Sequence, residues 1–209
     1  VRIESDYLKP SEIKKKLNGI SGILIPGGFG KRGTEGKIAA ISYARKNKIP
    51  FLGICFGMQM AVIEYSRNIL GLTDANSTEM NENTSHPVID LMESQKDVIN
   101  KGGTMRLGSW DCKLESDSLA YESYGHTKIK ERHRHRYEFN NDYKSQIEDA
   151  GLKTTGLNPD TGLVEIVEIS THNWFVGVQY HPEYKSTVAN PHPLFVSFVS
   201  AALDYKTKQ

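Results

Sequence analysis

Gly53-Ile54-Cys55-Phe56-Gly57 follows directly on the apolar run Ile49-Pro50-Phe51-Leu52 and opens the helix-like segment Met58 to Tyr65. A strand that enters a helix through Gly-x-Cys-x-Gly predicts a nucleophile elbow. Glycines permit a turn sharp enough to project the middle side chain above a sheet. The pattern restricts the fold, because it needs a strand with a helix folded straight back over it. Here the projecting group is a thiol. At the head of a helix the backbone dipoles are expected to lower its pKa and favour the thiolate, the attacking species. Taken alone, the five residues also suit a small buried Cys in a tight turn.

The bland reading weakens near the C-terminus. Trp174 to Tyr180 reads as a buried strand that runs into His181-Pro182-Glu183. In an extended chain, residues two apart share a side, so His181 and Glu183 are expected to face the same way. An imidazole held by a carboxylate is what a thiol needs in order to lose and regain a proton. A third element is Gly22-Ile23-Leu24-Ile25, which breaks into Pro26-Gly27-Gly28-Phe29-Gly30. Such a loop can offer backbone N–H groups to an oxyanion, with the Phe56 N–H as second donor. It reads equally as a plain glycine turn. The phosphate-loop spacing Gly-x-x-x-x-Gly-Lys-Ser/Thr is absent, although Lys31 and Arg32 follow.

Pro-Gly-Gly-Phe-Gly, Gly-Ile-Cys-Phe-Gly-Met-Gln and Tyr-His-Pro-Glu, in that order, resemble the class I glutamine amidotransferases with a Cys-His-Glu triad. Asn76-Ser77-Thr78-Glu79-Met80, Gly103 to Gly108 and Glu131 to Glu138 narrow the resemblance to the glutaminase domains of CTP synthases. It covers nearly the whole chain, 1–209, as one domain. The resemblance implies Cys55, His181 and Glu183 as catalytic residues, with Gly28 and Phe56 as the oxyanion hole. It implies that Gln59 and Glu79 bind the amino end of L-glutamine, and that Arg136, with Tyr137 beside it, meets the carboxylate. Phe29 and Arg32 are implied for a GTP-responsive lid. No metal and no cofactor is implied for this domain. The family's domain opens with a strand and helix ahead of Val1, preceded by a synthetase domain. That domain uses ATP and Mg to aminate UTP, with GTP as effector, in a ligase of pyrimidine biosynthesis that forms a homo-oligomer.

The physical logic of these assignments is sound. Glu79 is an acceptor for an ammonium, and an Arg fork matches a carboxylate. Gln59 lies one helical turn beyond Cys55. Their plain readings are a capping Glu and a solvated basic strand over Arg132 to Arg136. A nucleic-acid patch is discounted there, because Glu131 and Glu138 flank it and no aromatic series interleaves it. Two other functions suit the residues: a cysteine hydrolase of the same fold acting on γ-glutamyl substrates, and a non-catalytic interaction domain.

The remaining sequence frames these readings. The chain has 209 residues, enough for one core. Lys and Arg number 26 against 25 Asp and Glu, which gives no pull toward nucleic acid or membrane. No apolar run approaches the ~20 residues of a membrane span. Cys55 and Cys112 make no disulfide framework, which suits a cytoplasmic setting, and Cys112 reads as structural. The predicted fold is α/β: a central, mostly parallel sheet flanked by helices, with antiparallel strands added in the C-terminal half. Expected strands are Val1 to Glu4, Gly22 to Ile25, Met105 to Leu114, Leu152 to Leu157, Leu163 to Ile169 and Trp174 to Tyr180. Expected helices are Pro10 to Leu17, Gly36 to Asn47, the elbow helix and Pro193 to Leu203. Residues 72 to 103 read as a polar surface excursion.

Overall fold

The computed structural model describes residues 1–91 and 105–208. A seven-stranded sheet forms its centre, in the order β1-β2-β10-β9-β8-β5-β6. Its first part is parallel. β1 (Ile23–Ile25) pairs with β2 (Phe51–Ile54), and β2 pairs on its other side with β10 (Phe175–Val178). The rest is antiparallel, through β9 (Val164–Glu168), β8 (Lys153–Leu157), β5 (Arg106–Leu114) and β6 (Lys128–His135). The predicted α/β architecture with antiparallel additions in the C-terminal half is what the structure contains.

Burial explains the layers. β2 and β10 are buried along their whole length, as expected of strands covered on both faces. Phe51 and Phe175 stack at 4.5 Å between centroids on the face packed by α2 (Thr34–Lys46) and α3 (Phe56–Asn68). Leu52, Ile54, Val176 and Val178 face the opposite cluster. That cluster is closed by α4 (Leu119–Tyr124) and by Leu194, Phe195 and Phe198 of α6 (Pro193–Thr207). The short helices α1 (Ile13–Lys16) and α5 (Lys144–Asp149) add Ile13 and Ile147 to the first cluster. Among the described residues, no helix is long and apolar enough to cross a membrane.

Three expectations change. Val1 to Glu4 forms no strand: all four residues are exposed, and no described strand pairs with them. The polar excursion from 72 contains structure of its own. β3 (Asn76–Ser77), β4 (Pro87–Leu91) and β7 (Tyr137–Phe139) form a second, three-stranded sheet. Val88 and Ile89 on β4 and Phe139 on β7 supply its buried apolar residues, too few within 72–103 to stand out from the polar sequence around them. Gly103 and Thr104, and the rest of 92–104, lie outside the described residues. The expected helix over Pro10 to Leu17 is a 3₁₀ turn, Pro10–Glu12, followed by α1.

Candidate active site

The elbow is strained at its cysteine. Cys55 has φ 49° and ψ −101°, a conformation rare for any residue with a Cβ, and it is the cap of α3. The glycines around it serve a different need from the one expected. Neither Gly53 nor Gly57 has positive φ. A Cβ at Gly57 would lie 2.2 Å from the Ile25 carbonyl oxygen, and one at Gly53 would lie 2.7 Å from the Gly57 carbonyl carbon. The glycines let the helix lie against the sheet, while Cys55 itself takes the sharp turn. Its N–H donates to the Val178 carbonyl at 2.6 Å, so β10 clamps the elbow.

His181 comes to this point by a turn and not by continued strand. β10 ends at Val178, and Pro182–Lys185 is a 3₁₀ helix. The turn still brings His181 Nδ1 to 2.6 Å from Glu183 Oε1. Tyr184 stacks on the imidazole at 4.9 Å and 14°, and the His181 N–H donates to the Arg132 carbonyl at 2.8 Å. Its Nε2 is buried and has no hydrogen-bond partner among the described residues. Cys55 and His181 meet at Gly27: a Cβ there would touch His181 Cε1 at 2.8 Å and Cys55 Cβ at 3.8 Å. Gly28, next in the loop, packs on Phe56, and a Cβ there would lie 3.6 Å from Phe56 Cδ1.

The electrostatics overturn the expected thiolate. Burial pushes the Cys55 thiol up to about 12, and the Glu183 and Glu79 carboxylates add to the rise. The Phe56 N–H and the Gln179 amide pull the other way without prevailing. The resting group is a thiol, and its ionisation needs a base that accepts the proton on the spot.

The remaining predicted residues gather around the same point. Glu79, beside β3, accepts from the Gly30 N–H at 3.0 Å and so ties the glycine loop to the small sheet. Gln59, on α3, is buried and donates to the Tyr137 carbonyl at 2.8 Å. Arg136 and Tyr137 sit where the chain leaves β6 of the large sheet for β7 of the small one. The Arg136 Nε is buried and unpartnered among the described residues. Arg132 and Arg134 point outward on β6. Phe29 is exposed, and the Arg32 guanidinium is bound to Asp6. Cys112 is buried in the second apolar cluster, where burial raises its pKa.

Two features carry no assignment from sequence. One is Gln179, fully buried, whose Nε2 lies 3.7 Å from Cys55 Sγ. A polar amide in an otherwise apolar strand was the available signal, since buried amides require partners. The other is a charged cluster on β5, β6, β7 and β9. Arg106 binds Glu165 at 2.6 Å and Glu138 at 3.3 Å, and His133 bonds His135 at 2.9 Å. Burial raises both carboxyls to about 7. Burial and Arg106 hold His133 down to about 2 and His135 to about 3.

A strained cysteine at a strand-to-helix elbow, with a carboxylate-held histidine beside it, is the candidate site this α/β sheet presents. Residues 1–201 match the family described as glutamine amidotransferase class-I, and the chain belongs to that family. Within it, the similar proteins include CTP synthases. The CTP synthase of Christiangramia forsetii is 65% identical over 99% of this chain and 38% of its own length. That of Flavobacterium psychrophilum is 62% identical over 100% of this chain and 39% of its own. The chain thus spans under two fifths of these relatives. The glutaminase domain of Trypanosoma brucei CTPS, solved with bound acivicin, superposes with TM-score 0.92 at 41% identity, covering 98% of this chain and 80% of that one.

Proposed function

We propose that the chain hydrolyses the side-chain amide of L-glutamine to glutamate and ammonia, with Cys55, His181 and Glu183 as the catalytic residues. His181 carries the reading: Glu183 fixes its Nδ1, and its buried, unpartnered Nε2 belongs to a ring that shares Gly27 with the strained cysteine. His181 Nε2 takes the thiol proton as Sγ attacks the carboxamide carbon. Pairing the thiolate with the imidazolium offsets the desolvation that otherwise keeps the thiol neutral. The N–H groups of Phe56 and Gly28 hold the oxyanion. The imidazolium then gives its proton to the departing ammonia and leaves a thioester. His181 next takes a proton from water, whose oxygen attacks the thioester carbon, and returns it to the leaving sulfur as glutamate forms.

Substrate grip follows the same charges. Arg136, with Tyr137 beside it, meets the α-carboxylate, and the unpartnered Nε is a donor awaiting an acceptor. Glu79 and Gln59 serve the α-ammonium end. In the cell the ammonia passes to a CTP synthetase domain, where ATP and Mg drive amination of UTP, with GTP as effector and a cytoplasmic homo-oligomer as the full enzyme. The synthetase partner is supported by the relatives' name, CTP synthase, and the rest of this wider reading by the motif resemblance in the sequence. Phe29, free at the surface, and Arg32, tied to Asp6, are the lid residues assigned to the GTP response.

Cys55→Ala tests the core of the proposal. It should abolish ammonia release while the circular-dichroism spectrum and melting temperature stay near wild type. Acivicin, the ligand of the trypanosomal domain, should label the wild-type chain once, at Cys55. Retained hydrolysis in Cys55→Ala, or labelling elsewhere, removes Cys55 as nucleophile.

A further inference from the structure

Cys55 meets the positive end of α3 through the Phe56 N–H, yet burial dominates its ionisation. The groups facing it are few. Glu79 approaches from the small sheet, and His181 and Glu183 from the turn after β10. His133 and His135 lie behind His181 on β6 and are held neutral by burial and Arg106. Among the described residues, the neutral side-chain donor that reaches the sulfur is Gln179.

Three contacts fix that amide. The Gln179 backbone N–H donates to the Glu165 carbonyl at 2.8 Å, anchoring the residue to β9. Its side-chain oxygen accepts from Gln59 Nε2 at 3.4 Å, and its nitrogen lies 3.7 Å from Cys55 Sγ. Gln59 Nε2 also donates to the Tyr137 carbonyl at 2.8 Å. The direction of this chain is forced. A carbonyl oxygen can only accept, so the Gln59 atom facing Tyr137 is its nitrogen. The second N–H of Gln59 then needs the oxygen of Gln179, and only the Gln179 nitrogen is left for the sulfur.

We propose that Gln179 is a positioning residue for glutamine hydrolysis: the relay from the Tyr137 carbonyl through Gln59 to Gln179 presents a fixed N–H donor to the Cys55 thiolate. The relay rests on Cys55 being the nucleophile. A donor aimed at sulfur favours the anion over the thiol. It also links two ends of the site. Tyr137 adjoins Arg136, so ordering of that corner by a bound α-carboxylate tightens the amide chain whose far end holds the sulfur. Binding of the amino-acid portion would then prepare the nucleophile without moving it.

The test is the pH dependence of Cys55 alkylation by iodoacetamide, a neutral reagent that needs no substrate contacts. Gln179→Met keeps length and apolar volume but has no donor. Its alkylation midpoint should rise by about one pH unit, with labelling at neutral pH about tenfold slower, the low end for a hydrogen bond to a charged group. Gln179→Glu should raise the midpoint further, because it replaces the donor with a second negative charge beside the thiolate. Equal midpoints in wild type and Gln179→Met overturn the relay. If the variants fold poorly, the wild-type protein with ¹⁵N-labelled glutamine side chains decides the matter. The Gln179 Nε2 resonance should shift with the same midpoint as alkylation, and a resonance indifferent to thiol ionisation overturns the proposal. Both readouts are independent of turnover. Failure of the nucleophile assignment would appear separately, as hydrolysis surviving in Cys55→Ala.

Discussion

A methyl group added at Gly27 would sit 2.8 Å from His181 Cε1, 3.5 Å from Nδ1 and 3.8 Å from Cys55 Cβ. The imidazole would have to retreat about 0.6 Å to reach ordinary contact at 3.4 Å. It has little freedom to do so. The 2.6 Å bond to Glu183, the stacked Tyr184 ring and the backbone bond to Arg132 hold it from three directions. Misplacing a reacting group by 1 Å costs on the order of 10²-fold in rate, so Gly27→Ala should lose roughly tenfold or more in kcat. The stability cost of overpacking should be about 1–3 kcal/mol. Gly28→Ala is the matched control. Its methyl meets Phe56 Cδ1 at 3.6 Å, an ordinary contact, and its N–H remains available. Ammonia release at saturating glutamine, read beside thermal melts, separates the two variants. Wild-type turnover in Gly27→Ala, or an equal loss in Gly28→Ala, refutes the view that Gly27 is kept bare to seat the imidazole.

Two further outcomes follow from buried charge. Arg136→Ala should raise KM for glutamine strongly, by the roughly 2–5 kcal/mol that a buried charge loses with its partner, and Arg136→Lys should restore only part; an unchanged KM would place the carboxylate elsewhere. Glu165→Gln tests the charged cluster. The Glu165 carboxyl, raised in the fold to about 7, contributes stability that is complete below its unfolded value near 4.5 and is lost as pH rises through 7. The neutral amide should consequently be more destabilising at pH 5 than at pH 8, by roughly 2 kcal/mol in urea unfolding; equal losses at both pH values would mean that the carboxyl is ionised throughout. The depressed His133 and His135 act in the opposite sense, losing stability as pH falls below 6.5, so the comparison is read against wild type at each pH.

Local sequence carried much of the fold and the outline of the site. The elbow, the glycine loop and His181-Pro182-Glu183 are short runs whose residue types restrict the backbone directly, and the structure brings Cys55, Gly27 and His181 together. The failures share a physical cause, since they depend on surroundings more than on neighbours in sequence. The dipole argument for a low thiol pKa was local, whereas the rise to about 12 comes from the bulk packed over Cys55. The small sheet was missed because β3 is two residues long and β7 is contributed from far along the chain. Glu79 was legible as a candidate, but its bond to Gly30 spans 49 residues and could not be read from either segment. Gln179 had a signal, an amide in a buried run, without anything to name its partner.

The order of strands has a consequence for how the protein comes to life. β10 is the last strand in the chain, yet it lies inside the sheet, joining the parallel pair β1-β2 to the antiparallel β9-β8-β5-β6. On a growing chain Cys55 emerges first, and 124 residues separate it from Gln179. Until β10 docks, the cysteine has neither the Val178 carbonyl that clamps its N–H nor the histidine that follows. Closing so long a loop is the slow part of assembling such a sheet. The elbow can form early from local sequence, whereas the histidine proposed as its base arrives only with β10. On the proposed assignment, the cysteine and its histidine are joined only by the long-range pairing that brings β10 into the sheet.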